Sequence, residues 1–201
     1  MFNAATKYEN ASWNQKLLKG SDLLTSLVGV LLRFRQFKVA LSADNTEMFH
    51  QVRAREQDGP SFRFLWREPG SSEPLSDFQL QVQIFGAVSS PTVCAYVLRK
   101  SAEDTGEDEA ICYQQITDQF YVDNWLASFP TQSAAIQSAA RMKAVLKRGC
   151  FELSQWGSSR HEVLHSQEGT SRTRHDLFSV IFPRNTLGLL WDCALDALVI
   201  R

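Results

Sequence analysis

Two apolar stretches, KVALSADNTEMFHQV at residues 38–52 and QFYVDNW at residues 119–125, decide the fold of this chain. Each has the composition of a buried strand, and each is interrupted by an acid, Asp44 in the first and Asp123 in the second. A carboxylate costs several kcal/mol to bury unless it has a partner. The two acids are therefore best explained if neighbouring strands present them to a shared divalent cation. Hard oxygen ligands suit Mg²⁺, which binds one or two protein carboxylates together with substrate phosphates, so the pattern indicates nucleotidyl transfer.

The composition is that of an ordinary folded protein. The chain has 201 residues, of which 44% are hydrophobic and 11% aromatic, so it can bury a normal core. Its length fits one domain, or one domain plus a fragment of another. The formal net charge of −1 is not typical of a free-standing nucleic-acid binder.

Cysteine usage and hydropathy suggest the compartment. The four cysteines lie apart without any CxxC pair, which argues against a zinc ribbon or a disulfide framework and favours a reducing environment. We find no signal peptide and no apolar run of the roughly 18 residues that span a bilayer. These features predict a soluble, intracellular, cytoplasmic protein with no membrane partner.

Periodicity and turn residues predict an alternation of strands and helices. Ser90 followed by Pro91 is typical of a helix start, and Thr131 or Ser133 can cap a further helix that ends at Gly149. The predicted helices cover 22–33 (after a Ser21 cap), 92–101 and the segment up to 149; the predicted strands cover 37–43, 62–66, 79–85, 120–122, 125–129, 150–153, 187–192 and 197–200, with a solvated connector at 103–109 and a long loop at 157–185.

This order of elements predicts an α+β fold. An antiparallel, ferredoxin-like sheet backed by helices fits it best. Asp123 and Asn124 are expected at the tip of a hairpin in that sheet. Such a sheet can bring Asp44 beside the Asp123 hairpin.

The motifs follow one another in a familiar order, and the chain resembles the reverse transcriptase palm of long-terminal-repeat retrotransposons, most closely the Pao (BEL/Pao) type. Family-like stretches cover most of residues 2–160 and return at 187–192. They are FNAATKY (2–8), LLRFR (31–35), SADNTEMFHQV (42–52), FLWR (64–67), FGAVSSP (85–91), FYVDN (120–124) and LGLLWD (187–192). The resemblance implies a polymerase palm with partial fingers: a fingers segment at 1–36, the palm at 37–160, and a divergent loop with a primer-grip-like hairpin at 161–201.

The resemblance also implies roles for individual residues. Asp44 and Asp123 would hold Mg²⁺, or Mn²⁺ in its place, in a two-metal site for nucleotidyl transfer. Phe49 would lie against the sugar 2′ position and select deoxynucleotides, although its sequence context alone fits an ordinary core phenylalanine equally well. The residues expected to contact the incoming nucleotide and template are Gly86, Ser90 and Pro91, and those of the primer grip are Gly188 and Trp191.

The implied partners are an RNA or DNA template with its primer, deoxynucleoside triphosphates, and the remainder of a retrotransposon polyprotein. The implied activity is RNA-directed DNA polymerisation. Met1 falls inside the expected fingers and no thumb or ribonuclease H follows Arg201, so we expect a fragment of such a polyprotein.

The chain departs from the family pattern at the site itself. The family's turn normally carries two consecutive aspartates, but Asn124 stands at the second position, which implies weakened metal binding and impaired activity. A lysine often precedes the tryptophan that is Trp156 here, and Gln155 cannot donate an ammonium proton in its place. The alternative is a catalytically inactive retroelement remnant that keeps the palm fold and binds at most nucleic acid or protein.

Other kinds of site are less well supported by the sequence. His161 and His165 stand four residues apart and could share a helix face, but a third ligand and the catalytic glutamate of a zinc protease are missing, which favours a simple surface pair. The sequence contains no P-loop, GxGxxG or GxSxG motif. This argues against kinase, dinucleotide-binding and serine hydrolase functions.

Overall fold

The computed structural model describes residues 3–103, 107–167, 184–186 and 189–199. The chain forms two compact units, the first from Met1–Asp22 and Glu47–Cys94, the second from Leu23–Thr46 and Ala95–Arg201. Within the described ranges, no helix has both the length and the apolar character needed to cross a membrane.

The described chain is a succession of short strands and helices. In chain order they are β1 (Lys7–Tyr8), β2 (Ala11–Ser12), α1 (Leu27–Phe34), β3 (Val39–Asn45), α2 (Met48–Gln51), β4 (Arg63–Trp66), β5 (Ser76–Gln79), α3 (Ser90–Glu103), α4 (Glu107–Gln119), β6 (Phe120–Tyr121), β7 (Asn124–Phe129), α5 (Gln132–Arg148), β8 (Leu153–Ser158), α6 (His161–Gln167), β9 (Arg184–Thr186), β10 (Leu189–Asp192) and β11 (Ala197–Val199).

The second unit is built on a four-stranded sheet in the order β6-β7-β3-β8, with every neighbouring pair antiparallel. Along the chain, helices separate β3 from β6 and β7 from β8, while β6 and β7 form a hairpin. This is the β-α-β-β-α-β order of a split βαβ unit. The prediction of an α+β fold with an antiparallel sheet is confirmed.

One face of this sheet packs against α5 through aromatic side chains. Trp125 of β7 is fully buried, its ring stacks parallel on Phe120 with 6.1 Å between centroids, and it meets Trp156 of β8 edge-on at 6.1 Å. Lys143 of α5 places its Nζ 5.6 Å from the centre of the Trp156 ring. These contacts tie three strands to the helix that backs them.

The opposite face is covered at one end by α1. Val30 and Phe34 of α1 form a buried cluster with Ala40 of β3, Leu126 of β7 and Trp191 of β10. Side chains of a strand alternate between the two faces of its sheet, so Asp44 lies on the same face as Ala40, four residues further along β3. The apolar cluster therefore covers the start of β3 and leaves its other end for the acid.

The helix predicted most accurately from the sequence is α5. The Thr131 hydroxyl accepts a hydrogen bond from the Ala134 N–H at 3.2 Å, and the helix ends at Gly149 as predicted. Ala135 and Met142 are among its buried residues, as the three-to-four spacing indicated.

The helix predicted at 22–33 begins later than expected. In the structure α1 starts at Leu27, and the Ser26 hydroxyl, rather than that of Ser21, caps it by accepting from the Gly29 N–H at 3.4 Å. The Thr25 hydroxyl donates to the Thr117 carbonyl at 2.6 Å. This long-range bond engages the preceding segment outside the helix, and local sequence carries no sign of it.

Two other predicted elements are shifted. The strand predicted at 150–153 starts only at Leu153, because Cys150 adopts a positive φ of 62° and the N–H of Phe151 bonds back to the Leu146 carbonyl at 3.0 Å, which closes α5. The strand predicted at 79–85 lies at Ser76–Gln79 instead, and an isolated bridge between Val82 and Arg53 follows it.

Three helices were missed. α2 lies in the run at 38–52 that has the composition of a strand, and α4 overlaps the predicted connector at 103–109. α6 lies in a segment predicted as loop, where the four-residue spacing of His161 and His165 is the one sign of a helix.

The spacing in α3 predicts burial of Val93, Tyr96 and Val97 or their neighbours. The buried apolar positions are Cys94, Leu98 and Ala102, so the neighbours of Val93 and Val97 are buried and Tyr96 is exposed. Predictions for residues 168–183, 187–188 and 200 lie outside the described residues.

The first unit has a small core of its own. Phe62, Ile84 and Ala87 are buried together, and Trp13 meets Phe62 edge-on with 5.6 Å between ring centroids. A two-stranded hairpin, β4 with β5, extends from this core with mostly exposed side chains.

Candidate functional site

Asp44 and Asp123 lie at the same end of the two central strands of the four-stranded sheet. Asp44 lies near the end of β3, directly opposite Asn124 of β7 in the strand register. The N–H of Asn45 donates to the carbonyl of Asp123 at 2.8 Å, which fixes the hairpin tip against β3. The juxtaposition of the two acids that the sequence suggested is therefore present.

The hairpin that carries Asp123 is tight and strained. Only Val122 and Asp123 separate β6 from β7, and Val122 has a φ of 56°. A β-branched residue rarely adopts this left-handed conformation, because its Cβ crowds the following carbonyl. Strain of this kind persists where the surrounding structure enforces it, commonly at functional sites.

The two carboxyl groups are half-buried and repel each other. Burial raises the pKa of Asp44 above its ordinary value of 3.8, and the negative charge of Asp123 raises it further. Burial also raises the pKa of Asp123, although its own backbone N–H and the Asn124 side chain oppose the change. Within the described ranges neither carboxylate takes part in an ion pair with a Lys or Arg. No Lys or Arg side chain of the described residues therefore balances the negative charge of the two acids.

Asn124 acts on Asp123 directly. Its Nδ2 donates a hydrogen bond to Asp123 Oδ1 at 2.7 Å. The amide thus stabilises the ionised form of Asp123, and it occupies one lone-pair position of that carboxylate. An aspartate at this position could not donate the same bond.

The third strand at the site, β8, is irregular where it passes Asp44. Its pairing with β3 shifts register between Ser42 and Asp44, and Gln155 at this bulge has a φ of 49°. Ser154 of β8 is the register partner of Asp44, and its hydroxyl accepts a hydrogen bond from the hydroxyl of Thr46, the residue after β3, at 2.7 Å. Bulges of this type bend a strand and re-aim side chains next to functional sites.

Sequence reasoning missed Asn45, the residue after Asp44. Its side chain is 1% exposed, and within the described residues both its amide nitrogen and its amide oxygen lack a hydrogen-bond partner. An unsatisfied buried polar group costs about 1–3 kcal/mol. The only sequence signal for it is a polar residue in an otherwise apolar strand.

The donor set suits a hard cation better than a soft one. The described ranges contain no group of three or more His, Cys, Asp or Glu side chains arranged to hold a metal ion. The carboxylates of Asp44 and Asp123 with the adjacent Asn124 amide match the few protein ligands that Mg²⁺ takes when substrate phosphates and water supply the rest. Asp44 and Asp123 are the residues that would hold it.

The first unit brings together the predicted nucleotide-contacting residues. Phe49 is buried and meets the exposed Phe85 edge-on, with 4.4 Å between ring centroids. Asn14, which the sequence did not single out, donates from Nδ2 to the Gly86 carbonyl and accepts from the Val88 N–H, both at 2.9 Å. One side chain therefore fixes the loop that contains Gly86.

Ser90 and Pro91 begin α3, two residues before the predicted helix at 92–101. The Ser90 hydroxyl is fully buried and donates to Gln83 Oε1 at 3.1 Å, so it links the helix start to the preceding segment rather than capping the helix. Pro91 follows in the first turn, where a missing N–H is tolerated. The contact of Ser90 and Pro91 with a nucleotide stays a prediction.

Of the two predicted primer-grip residues, only Trp191 lies within the described residues. Gly188 lies outside the described residues. Trp191 is fully buried, meets Phe34 edge-on at 4.8 Å, and donates from Nε1 to Asp196 Oδ1 at 3.2 Å. An indole in that position cannot itself contact a primer, and the primer-binding role of the hairpin stays a prediction.

Comparison of the sequence with protein-family models gave no match, and comparison with curated proteins gave none. The fold and site therefore define this chain at the level of an α+β protein with a pair of half-buried acids on an antiparallel sheet.

Proposed function

We propose that this chain is the palm region of an RNA-directed DNA polymerase, a reverse transcriptase of the BEL/Pao retrotransposon type, with impaired activity. The observation that carries the proposal is the placement of Asp44, near the end of β3, beside Asp123 in the turn that leads into the neighbouring antiparallel strand β7 of a split βαβ sheet. Two carboxylates held together against their mutual repulsion are what a divalent-cation site requires. The sequence resemblance to reverse transcriptase palms supports the same activity.

In this proposal the main task of the protein is to hold the metal ion and to orient the groups that bind it. Asp44 and Asp123 would hold Mg²⁺ or Mn²⁺, and the ion would supply charge neutralisation at the phosphates and lower the pKa of the primer 3′-hydroxyl. The strained Val122 turn fixes the direction of Asp123. The family resemblance assigns the sugar 2′ position to Phe49 and the incoming nucleotide and template to Gly86, both in the first unit.

A second candidate is a catalytically inactive remnant that retains the fold, and Asn124 favours it. With the amide in place of an acid, the site has one negative charge fewer and one carboxylate oxygen already engaged. At ~4 Å and an effective dielectric of ~20, a unit charge pair contributes about 4 kcal/mol before desolvation offsets it. Losing even part of this attraction weakens cation binding by tenfold or more, since each tenfold is about 1.4 kcal/mol.

The proposal is tested first by metal binding. Titration calorimetry with MgCl₂ and MnCl₂ should show binding to the wild-type chain, at least tenfold tighter binding to Asn124→Asp, and none to Asp44→Asn at the same site. Equal affinities of wild type and Asp44→Asn would refute the assignment of the metal site.

Primer extension on an RNA template then separates the two candidates. We expect little or no extension by the wild type, extension by Asn124→Asp, and none by Asp44→Asn in the Asn124→Asp background. Metal binding without extension by any variant supports the inactive remnant. Wild-type extension as fast as that of Asn124→Asp would show that the amide does not impair the site.

A further inference from the structure

A second cluster of metal-ligating side chains lies on α6, in the same unit as the acid pair. His161 and His165 are four residues apart, which places them on one face of the helix, one turn after the other. Their imidazole rings are 4.2 Å apart between centroids, at an interplanar angle of 73°. Both side chains are exposed. Neither the Mg²⁺ chemistry proposed above nor the core uses them.

The helix that carries the pair is anchored from its other side. Val163 and Leu164 between the two histidines are buried, so the exposed face of α6 is fixed by the packing of its apolar face. Glu162 Oε2 also accepts a hydrogen bond from Gln132 Nε2 of α5 at 3.4 Å. The backbone positions of the two imidazoles are therefore set before any ligand binds, which lowers the entropy cost of chelation.

We propose that His161 and His165 form a surface chelate for a transition-metal cation of the Zn²⁺ or Cu²⁺ class, with water completing the coordination. Imidazole nitrogen suits these cations, whereas Mg²⁺ prefers oxygen. A Zn–N bond is about 2.0–2.1 Å, so one cation joins two rings whose ligating nitrogens lie within about 4 Å of each other. Rings with centroids 4.2 Å apart reach this by side-chain rotation alone.

The two imidazoles fill only part of the coordination shell of such a cation. The described ranges offer no third His, Cys, Asp or Glu grouped with the pair. A cation held by two imidazoles keeps water-filled positions, and it can accept a further donor from a substrate or a partner. The site depends on neither Asp44 nor Asp123, so it stands whether or not the polymerase proposal does.

The test is calorimetric titration of the intact chain with ZnCl₂ and with CuCl₂. We expect wild type to bind one equivalent at this site, and His161→Asn and His165→Asn each to bind at least tenfold more weakly. The matched control is His50→Asn, because His50 is an exposed histidine on α2 that has no described imidazole beside it. Its affinity should equal that of wild type.

Electron paramagnetic resonance of the Cu²⁺ complex adds a readout of the ligands. Wild type should show coupling to two imidazole nitrogens, and His161→Asn and His165→Asn to one fewer. Unchanged affinity in either variant, an equal loss in His50→Asn, or a spectrum that His161→Asn leaves unaltered would overturn the proposal. Circular dichroism of each variant confirms that the fold is intact.

Discussion

The burial of Trp191 allows a sharp test of how the terminal hairpin contributes to the protein. The indole is fully buried against Phe34 and within the cluster of α1, β3 and β7 side chains. Truncating a buried tryptophan to alanine costs about 3–5 kcal/mol, because the apolar contacts are lost and a cavity remains. We expect Trp191→Ala to lower the free energy of unfolding by that amount, a large part of the 5–15 kcal/mol typical of a domain.

A conservative variant separates packing from hydrogen bonding. Trp191→Phe keeps an aromatic ring against Phe34 but removes the Nε1 bond to Asp196, which is 3.2 Å long. A hydrogen bond contributes about 0.5–1.5 kcal/mol, and the smaller ring adds a modest cavity term. Trp191→Phe should therefore fall between wild type and Trp191→Ala.

Urea unfolding followed by far-ultraviolet circular dichroism measures these differences. The control is Trp66→Ala, because Trp66 is 48% exposed on β4 and should change stability by less than about 1 kcal/mol. If Trp191→Ala were as mild as Trp66→Ala and instead weakened primer binding, the indole would be a surface group in solution. The core assignment would then be wrong.

Three further predictions follow from the site and the thiols. Burial raises the pKa of Asp44 above 3.8, so above that pH the folded chain binds more protons than the unfolded chain. The free energy of unfolding should therefore fall as pH rises from about 4, and it should level off once the carboxyl has ionised. Asp44→Asn should remove part of this fall in metal-free urea titrations, and an unchanged slope would contradict the burial argument. Val122→Gly should raise the stability by up to about 1 kcal/mol in thermal unfolding, since the left-handed conformation costs about 1–2 kcal/mol and glycine entropy returns part of it. Val122→Ala, which keeps a Cβ, should not give this gain. Burial raises the pKa of the Cys94 thiol to about 12, so a thiol reagent at mildly alkaline pH should modify the exposed Cys150 first and reach Cys94 only on unfolding. Fast labelling that survives Cys150→Ser would refute this order.

Sequence pattern identified the parts of the fold that rest on local chemistry. The acids within apolar strands located Asp44 and Asp123, and the Thr131 cap located α5. In each of these cases the hydrophobic period, the cap and the packed structure agree, which is when sequence reasoning is reliable.

The errors arose where long-range contacts outweighed local preference. The helix α1 starts later than predicted because Thr25, just before it, is held outside the helix by a hydrogen bond to Thr117, which is far away in the sequence. Trp191 has the sequence context of a functional motif, but its neighbour in space is Phe34. The direction of the Asn124 amide toward Asp123 depends on a turn geometry that no residue pattern specifies.

The cost of burying the two acids explains why this end of the sheet is the best candidate for a functional site. Two half-buried carboxyl groups with raised pKa values destabilise a fold at neutral pH, and no cation of the described residues pairs with either of them. Among the described residues, the side chain that compensates this cost is that of Asn124, through its hydrogen bond to Asp123. That bond lowers the cost of burying the Asp123 carboxylate. On the function proposed above, the same bond would compete with a cation for the carboxylate, so the residue at 124 would set the balance between fold stability and cation affinity.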